Sequence, residues 1–464
     1  MEFQFIDNTN IDASARKTIR SSVMRGRNAG KTRPKRQPLQ GRDPSKLRVL
    51  VPDVANINRK GVDRNGPDLE DPASRMLATV GNEFTVLRYP KPLDSHMQRI
   101  VRQFMDMTSA IIYPKDLCID VKESYAIWFE FFQRDEAFFH CLLAMAQALS
   151  DWRQGGQGES IKVMRYLANT YRCINEKLKK EGTPDDATVA VVMSITMHNN
   201  LLRAPGGAKV HLNALQRMVE LRGGLSSFSA MLLLHKICRT DIEFSLQSGS
   251  LPRFYRDEFP YVMMRSSPLW LDAAYEAFIT TMNAQVYNLE IQSIFRDTLF
   301  VSKFLNILKA TNQKLDPLVF QEMLISTGYR LMHTCPLDGV RILGLADNIC
   351  HLALSALVAT MLIRKSHSKL SYPFLAGLFR DTIASAMDDP TMDDNFLLWT
   401  LFVAGISVLN VKEDTWLQLN LRLLISRMKL ESWQGAKIIL RAYPWIDYFH
   451  DEPGREIWSV LVSN

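Results

Sequence analysis

Cysteine is scarce in this 464-residue sequence, and its spacing excludes a disulfide framework. None of the six cysteines precedes Cys118, and the closest pair, Cys335 and Cys350, lies 15 residues apart. A stapled secreted domain or a structural zinc site needs several cysteines at short, regular spacings. Scattered cysteines are typical of a reducing compartment, where a buried thiol behaves as a small apolar side chain. We therefore expect an intracellular protein with free cysteines.

Long apolar runs are also missing. The two longest uncharged apolar runs, residues 352–363 and 396–409, are shorter than the roughly 18 to 20 residues that cross a bilayer. The N-terminal stretch MEFQFIDNTNID contains acids and no apolar run of signal-peptide length. These features predict buried helices, no contact with a membrane and no secretory route.

An excess of positive charge is absent from most of the chain because it is concentrated at one end. Residues 1–48 hold 12 Lys and Arg against 4 Asp and Glu, whereas residues 49–464 hold 44 against 45. The net charge of +7 therefore arises from the first tenth of the sequence. An anionic partner would meet this segment rather than the body.

The densest basic stretch, RGRNAGKTRPKR at residues 25–36, contains a Gly-Lys-Thr triplet. A phosphate-binding loop needs four residues between its first glycine and this triplet, but only three separate Gly26 from Gly30, and no apolar strand precedes them. Three interpretations stay open: a nuclear import signal, an arm that contacts nucleic-acid phosphates weakly and without sequence preference, or a solvated charged run. The candidate residues are Arg25, Arg27, Lys31, Arg33, Lys35 and Arg36.

The sequence divides into three parts. Residues 1–48 have few large apolar groups, so we expect a basic tail that is disordered in isolation. Residues 49–93 are rich in Asn, Asp, Gly and Pro and predict a linker. Residues 94–464 have the apolar spacing of helices throughout.

The third part predicts an all-α fold, an irregular multi-helix bundle. Apolar residues recur at helical spacing in residues 139–149, 212–219 and 349–357, and no strand of period two is found. Residues 183–186, TPDD, predict a helix start with Thr183 as the cap and Pro184 at the first helical position. Gly223 and Gly224 predict a helix stop.

Several segments of this helical part resemble the fungal-specific transcription factor domain, an all-helical regulatory domain. The most telling is HLNALQRMVELRGGL at residues 211–225. Residues 135–152 and the tail at residues 397–460 agree with it, and the tail holds five of the eight tryptophans. At the N-terminus, Phe3, Phe5 and the stretch RSSVM at residues 20–24 also resemble proteins of this group. The resemblance implies a nuclear regulator of transcription, often one that controls a secondary-metabolite gene cluster.

One element of that family is missing. Its zinc cluster places six cysteines within about 30 residues so that two zinc ions share thiolates and fix a recognition helix. This chain has no such cluster. Sequence-specific DNA binding is therefore not carried over from the family, and we expect partners such as other transcription regulators or a small effector.

Other chemical groups favour structural roles. The acids of residues 388–394, DDPTMDD, are interrupted by Pro390 and precede an apolar helix, so we expect them to cap it rather than hold magnesium. Rather than a zinc or catalytic site, we expect Cys335, Cys350 and Cys141 to be core residues. We expect the nearby histidines, and His211, to have their hydrogen bonds satisfied within the protein; they are His333, His351 and His140. We predict no catalytic residue, no metal and no cofactor.

The resemblance thus implies a regulator of transcription without a zinc cluster. Two other classes stay open. One is an all-helical enzyme of an unrecognised family, which a deep polar pocket with converging His, Asp or Glu would favour. The other is an interaction scaffold with no role at DNA, which a large exposed apolar patch would favour.

Overall fold

The computed structural model describes residues 88–119, 126–156, 158–180, 183–201, 205–259, 286–341, 343–362 and 372–462. All the described residues belong to one compact unit, Leu87–Asn464. The predicted tail at residues 1–48 and most of the linker lie outside the described residues. Within the described ranges there are fifteen α-helices and no strand, which confirms the all-α prediction.

The helices are numbered here in chain order. The first eight are α1 Ser95–Ile112, α2 Ala126–Arg134, α3 Glu136–Arg153, α4 Ile161–Lys180, α5 Asp186–Leu201, α6 Pro205–Leu221, α7 Met231–Ser248 and α8 Leu289–Ala310. The other seven are α9 Pro317–Thr334, α10 Leu345–Leu362, α11 Pro373–Met387, α12 Asp394–Ser407, α13 Thr415–Arg427, α14 Trp433–Leu440 and α15 Asp447–Val462.

Short polar side chains define where many of these helices begin. In each case a side-chain oxygen accepts a hydrogen bond from a backbone N–H of the first turn, which otherwise has no partner inside the helix. Residues of this kind precede α1, α3, α8, α9, α12, α13 and α14, and they are Asp94, Asp135, Asn288, Asp316, Asp393, Asp414 and Ser432.

Two predicted helix boundaries have different outcomes. The stop after α6 is confirmed, because Gly223 and Gly224 adopt backbone φ values of 96° and 94°. Residues that carry a Cβ rarely adopt such values. The predicted start of α5 is wrong by two residues. Asp185, not Thr183, accepts from the Thr188 N–H at 2.8 Å, and Pro184 lies before the helix rather than in it.

Helices that are close in sequence pack together in overlapping groups. In the first half, α3 packs against α1, α4 and α5, and α5 packs against α6 and α7. In the second half, α7 packs against α9 and α11, while α10 lies between α9 and α12. Finally α12 contacts α13, α14 and α15. The apolar helix α10 has the length and hydropathy of a membrane span, but 89% of it is buried against the rest of the protein.

Four of the five tryptophans of the C-terminal tail are buried in the core, and Trp416 is only partly buried. Trp399 and Trp445 are fully buried, and each indole N–H has a partner: Trp399 donates to the Pro444 carbonyl and Trp445 donates to the Asp451 carboxylate, both at 2.9 Å. A close approach of α15 to this cluster requires Gly454, because an added Cβ would lie 2.7 Å from the Trp433 ring.

Candidate functional site

Helix α7 carries an unusual number of buried charged and polar groups. His235, Arg239, Asp241 and Glu243 are all at most 7% exposed, although most of the other buried residues of this helix are apolar. Charged side chains are almost never buried to this extent unless they are paired. The partners lie on α9 and on an extended segment, residues 250–258, which we call the strap.

Glu322 of α9 joins the strap to α7. Arg256 of the strap donates to both Glu322 oxygens, at 2.6 and 3.0 Å, and His235 Nε2 lies 2.8 Å from Oε1. Burial opposes ionisation of Glu322, but the hydrogen bonds from His235 and Arg256 outweigh burial and lower the pKa of the Glu322 carboxyl below its ordinary value. The carboxylate therefore stays charged and holds two cationic or polar groups.

Asp241 holds the strap by its backbone. The Asp241 carboxylate accepts from the N–H groups of Arg253 and Phe254, each at 2.9 Å, and from the Tyr329 hydroxyl at 3.2 Å. Burial nevertheless raises the pKa of Asp241 to about 6, against the opposing effect of these three donors. Near its end the strap is anchored again, since the Glu258 N–H donates to Ser326 at 2.9 Å.

Arg239 is bonded to the C-terminal end of one helix directly and to that of a second helix through a glutamine. Its guanidinium donates to the Leu362 carbonyl at the end of α10 and to the Gln321 side chain, and Gln321 in turn donates to the Ile112 carbonyl at the end of α1. A cation near helix C-termini stabilises the partial negative charge there. Burial lowers the pKa of Arg239 to about 10, which still leaves it protonated near neutral pH.

Glu243 and Tyr372 are the least satisfied members of this network. Glu243 accepts from the Gln247 amide at 3.3 Å, and burial raises the pKa of Glu243 to about 7 despite the charge of Arg239. The Tyr372 hydroxyl is buried, has no hydrogen-bond partner within the described ranges, and has a raised pKa for the same reason.

The groups of this network are arranged for a structural role, because they bind one another and so hold the helices together. Cys238, the thiol nearest to these groups, is fully buried, and burial raises its pKa to about 12, so the reactive thiolate is disfavoured. Most donors and acceptors are used by the protein's own side chains and backbone. No three His, Cys, Asp or Glu residues among those described are grouped so that they could hold a metal ion.

A second feature is an open groove beside α13. It has a volume of about 500 Å³ and contains the ion pair of Arg380 with Asp414 at 2.5 Å, next to Trp416. Asp414 is also the cap of α13, so its carboxylate is shared between a structural bond and the ion pair. The groove is lined by Ala376, Arg380, Val408, Leu409, Asn410, Glu413, Asp414, Thr415 and Trp416.

The residues predicted from the sequence have mixed outcomes. All six basic candidates, from Arg25 to Arg36, lie outside the described residues. The predicted capping role of the acids at 388–394 is confirmed by Asp393, which accepts from the Asn395 N–H at 3.2 Å and from the Tyr443 hydroxyl at 2.8 Å.

The cysteines and histidines occupy structural positions. All six cysteines are free and buried, as predicted. Buried His351 lies 2.9 Å from the Leu331 carbonyl, whereas His333 is exposed and lies 3.2 Å from the Phe254 carbonyl of the strap. His211 stacks on Tyr171 with ring centres 6.0 Å apart. The expectation for His140 is wrong, because this buried ring lies 3.8 Å from Glu136 and neither of its nitrogens has a hydrogen-bond partner among the described residues.

Sequence reasoning missed the buried network. A signal was present, because His235, Arg239 and Glu243 recur every four residues and so share one face of an otherwise apolar helix. The same pattern does not show which residues are their partners.

No known family model, curated protein or solved structure matches this chain.

Proposed function

We propose that this chain regulates transcription in the nucleus, with the helical unit as a binding module and the basic segment at residues 25–36 as an import signal or a weak DNA-contacting arm. The observation that carries this proposal is the order of the segments that resemble the fungal-specific transcription factor domain. They occur at residues 135–152, 211–225 and 397–460, and they correspond to α3, α6 and the run from α12 to α15.

The distribution of charge supports the same proposal. Residues 1–48 carry an excess of eight positive charges, while residues 49–464 are almost neutral overall. Dense Lys and Arg suffice for recognition of a phosphate backbone, although they give no sequence preference. The partners we propose for the helical unit are another regulator or a small effector, and control of a secondary-metabolite gene cluster is what the resemblance implies.

The interior of the helical unit fits a binding role. Its charged groups fix α7, α9 and the strap through bonds to one another, as in the grip of Arg256 on Glu322. A rigid frame of this kind can present surfaces to a partner without moving its own helices.

Chromatin immunoprecipitation with sequencing tests the proposal. The tagged full-length protein is compared with a version that lacks residues 1–48 and carries an unrelated import signal. Discrete promoter peaks in both would support recruitment of the helical unit by a partner, and peaks lost with residues 1–48 would support a DNA-contacting arm. No enrichment of either protein, with expression and nuclear entry verified, would overturn the proposal.

A further inference from the structure

Helix α4 is a positively charged island in the helical unit. Its 20 residues contain six Lys and Arg and one Glu. The other residues between 49 and 464 contain 38 Lys and Arg against 44 Asp and Glu. A cluster of like charge on one helix of an otherwise acidic body creates a local positive potential.

The charges of α4 are placed on its outer face. Val163, Leu167, Thr170, Cys173 and Ile174 are buried, and the helix packs on α3. Five of the basic side chains project from the opposite side and are exposed: Lys162, Arg165, Arg172, Lys179 and Lys180. At 100° per residue these five positions fall within roughly 100° of the helix circumference, so they form one stripe.

Most of this stripe has no ion-pair partner among the residues that the structure describes. Arg172 is paired with Glu176 at 3.1 Å and with Glu136 at 3.6 Å. The sixth basic residue, Lys177, lies outside the stripe and is held by Asp135 and Asp185. In the part of the chain that the structure describes, Lys162, Arg165, Lys179 and Lys180 form no ion pair.

The dimensions and polarity of the stripe fit a nucleic-acid backbone. Eighteen residues separate Lys162 from Lys180, which corresponds to about 27 Å, whereas one turn of B-DNA is about 34 Å long. Within α4, exposed large apolar side chains occur only in the first turn, at Ile161 and Met164. A helix that enters a hydrophobic groove of a partner, or one that lies in a membrane interface, has apolar anchors along its whole face.

We propose that the outer face of α4 is a sequence-independent contact surface for the sugar-phosphate backbone of duplex DNA. The inference rests on the proposed function, since a regulator recruited to promoters is held beside DNA. It adds a contact made by the helical unit itself, separate from the basic segment at residues 25–36. The four unpaired cations form this contact at the two ends of α4, and Arg172 remains with Glu136 and Glu176.

The test is the salt dependence of DNA binding by the full-length chain. Fluorescence anisotropy with a labelled duplex of random sequence gives the binding constant from about 50 to 250 mM NaCl. Each cation that contacts a phosphate contributes about 0.9 to the slope of log K against log salt concentration. The quadruple variant K162Q/R165Q/K179Q/K180Q is therefore expected to lower the magnitude of the slope by about 3 to 4.

The matched control removes the same charge from exposed positions elsewhere. K314Q/K412Q/K429Q/R455Q is expected to change the slope by less than about 1, and thermal unfolding verifies that both variants remain folded. Equal slopes for the two variants would overturn the inference. Vesicles of phosphatidylcholine and phosphatidylserine provide a second comparison. If the α4 variant loses binding to these vesicles but keeps its binding to DNA, the inference is overturned in favour of a membrane surface. Promoter peaks in cells together with equal slopes would reject the α4 contact and leave the proposed function standing.

Discussion

Arg256 and Glu322 are 66 residues apart in the sequence, yet their side chains form a two-point ion pair with N to O distances of 2.6 and 3.0 Å. The Arg256 side chain is 18% exposed and that of Glu322 is 6% exposed. Because His235 lies against the same carboxylate, this pair fixes the strap to α9 and α9 to α7. The path of the chain after α7 thus depends on this carboxylate together with Asp241 and Ser326, which hold the strap by its backbone.

Replacement of Glu322 by Gln is expected to lower the free energy of unfolding by about 3 kcal/mol, the lower end of the cost of breaking a buried ion pair. The substitution keeps the shape but leaves the largely buried Arg256 with the more exposed Glu258, at 3.4 Å, as its remaining counter-charge. Urea denaturation measures the effect. Glu130→Gln is the control, because Glu130 and its partner Arg134 are 53% and 78% exposed, and we expect a loss of at most about 1 kcal/mol. A similar small loss for Glu322→Gln would contradict this account of the strap.

The contrast between predicted and missed features follows from the range of the interactions. The stop at Gly223 and Gly224 and the cap at Asp393 depend on contacts within a few residues, so the local sequence is sufficient to predict them. The start of α5 was placed wrongly because Thr183 and Asp185 are both good caps, and only the fold shows that Asp185 reaches the Thr188 N–H.

The buried network has a different basis. The partners of α7 lie far away in sequence: 87 residues separate His235 from Glu322, and 88 separate Asp241 from Tyr329. A single sequence shows that polar residues interrupt an apolar helix, but it does not show which distant residue satisfies each one. Burial and pairing are properties of the packed helices.

The glycine of α15 gives a prediction about packing. Gly454→Ala is expected to destabilise the protein by about 1 to 3 kcal/mol, because the new Cβ would lie 2.7 Å from the Trp433 ring and 3.1 Å from that of Trp445. The matched control is Gly377→Ala in α11, where nothing lies within 4 Å of the added Cβ. There we expect stabilisation of about 0.5 to 1 kcal/mol from the higher helix propensity of Ala. Thermal unfolding measures the change in stability of each variant relative to the wild type. A change of the same sign in both variants would contradict the prediction.

Glu243 gives a prediction about pH. Burial raises its pKa to about 7 in the folded protein, and an unfolded Glu titrates near 4.3. The folded state therefore favours the protonated carboxyl, and this contribution to stability is present at low pH and is lost as the pH rises through about 7.

Glu243→Gln mimics the protonated form and removes this dependence. We expect the variant to match the wild type near pH 4 and to exceed its free energy of unfolding by an amount on the order of 3 kcal/mol near pH 8. Urea denaturation across this range measures the difference between the two proteins. A difference that is independent of pH would mean that the carboxyl titrates normally in the folded state.

The basic segment gives a prediction about location in the cell. Replacement of Arg25, Arg27, Lys31, Arg33, Lys35 and Arg36 by Gln is expected to move a fluorescently tagged protein from the nucleus to the cytoplasm. The matched control replaces the other six basic residues of the region 1–48 by Gln, namely Arg16, Lys17, Arg20, Arg42, Lys46 and Arg48, and removes the same total charge.

The comparison separates clustered charge from total charge. An import receptor recognises closely spaced Lys and Arg, so the control protein should remain nuclear, and an unrelated import signal fused to the first variant should restore entry. Nuclear fluorescence of both variants would mean that residues 25–36 are not the import signal. Cytoplasmic fluorescence for both would mean that the overall charge of residues 1–48, rather than the cluster, determines entry.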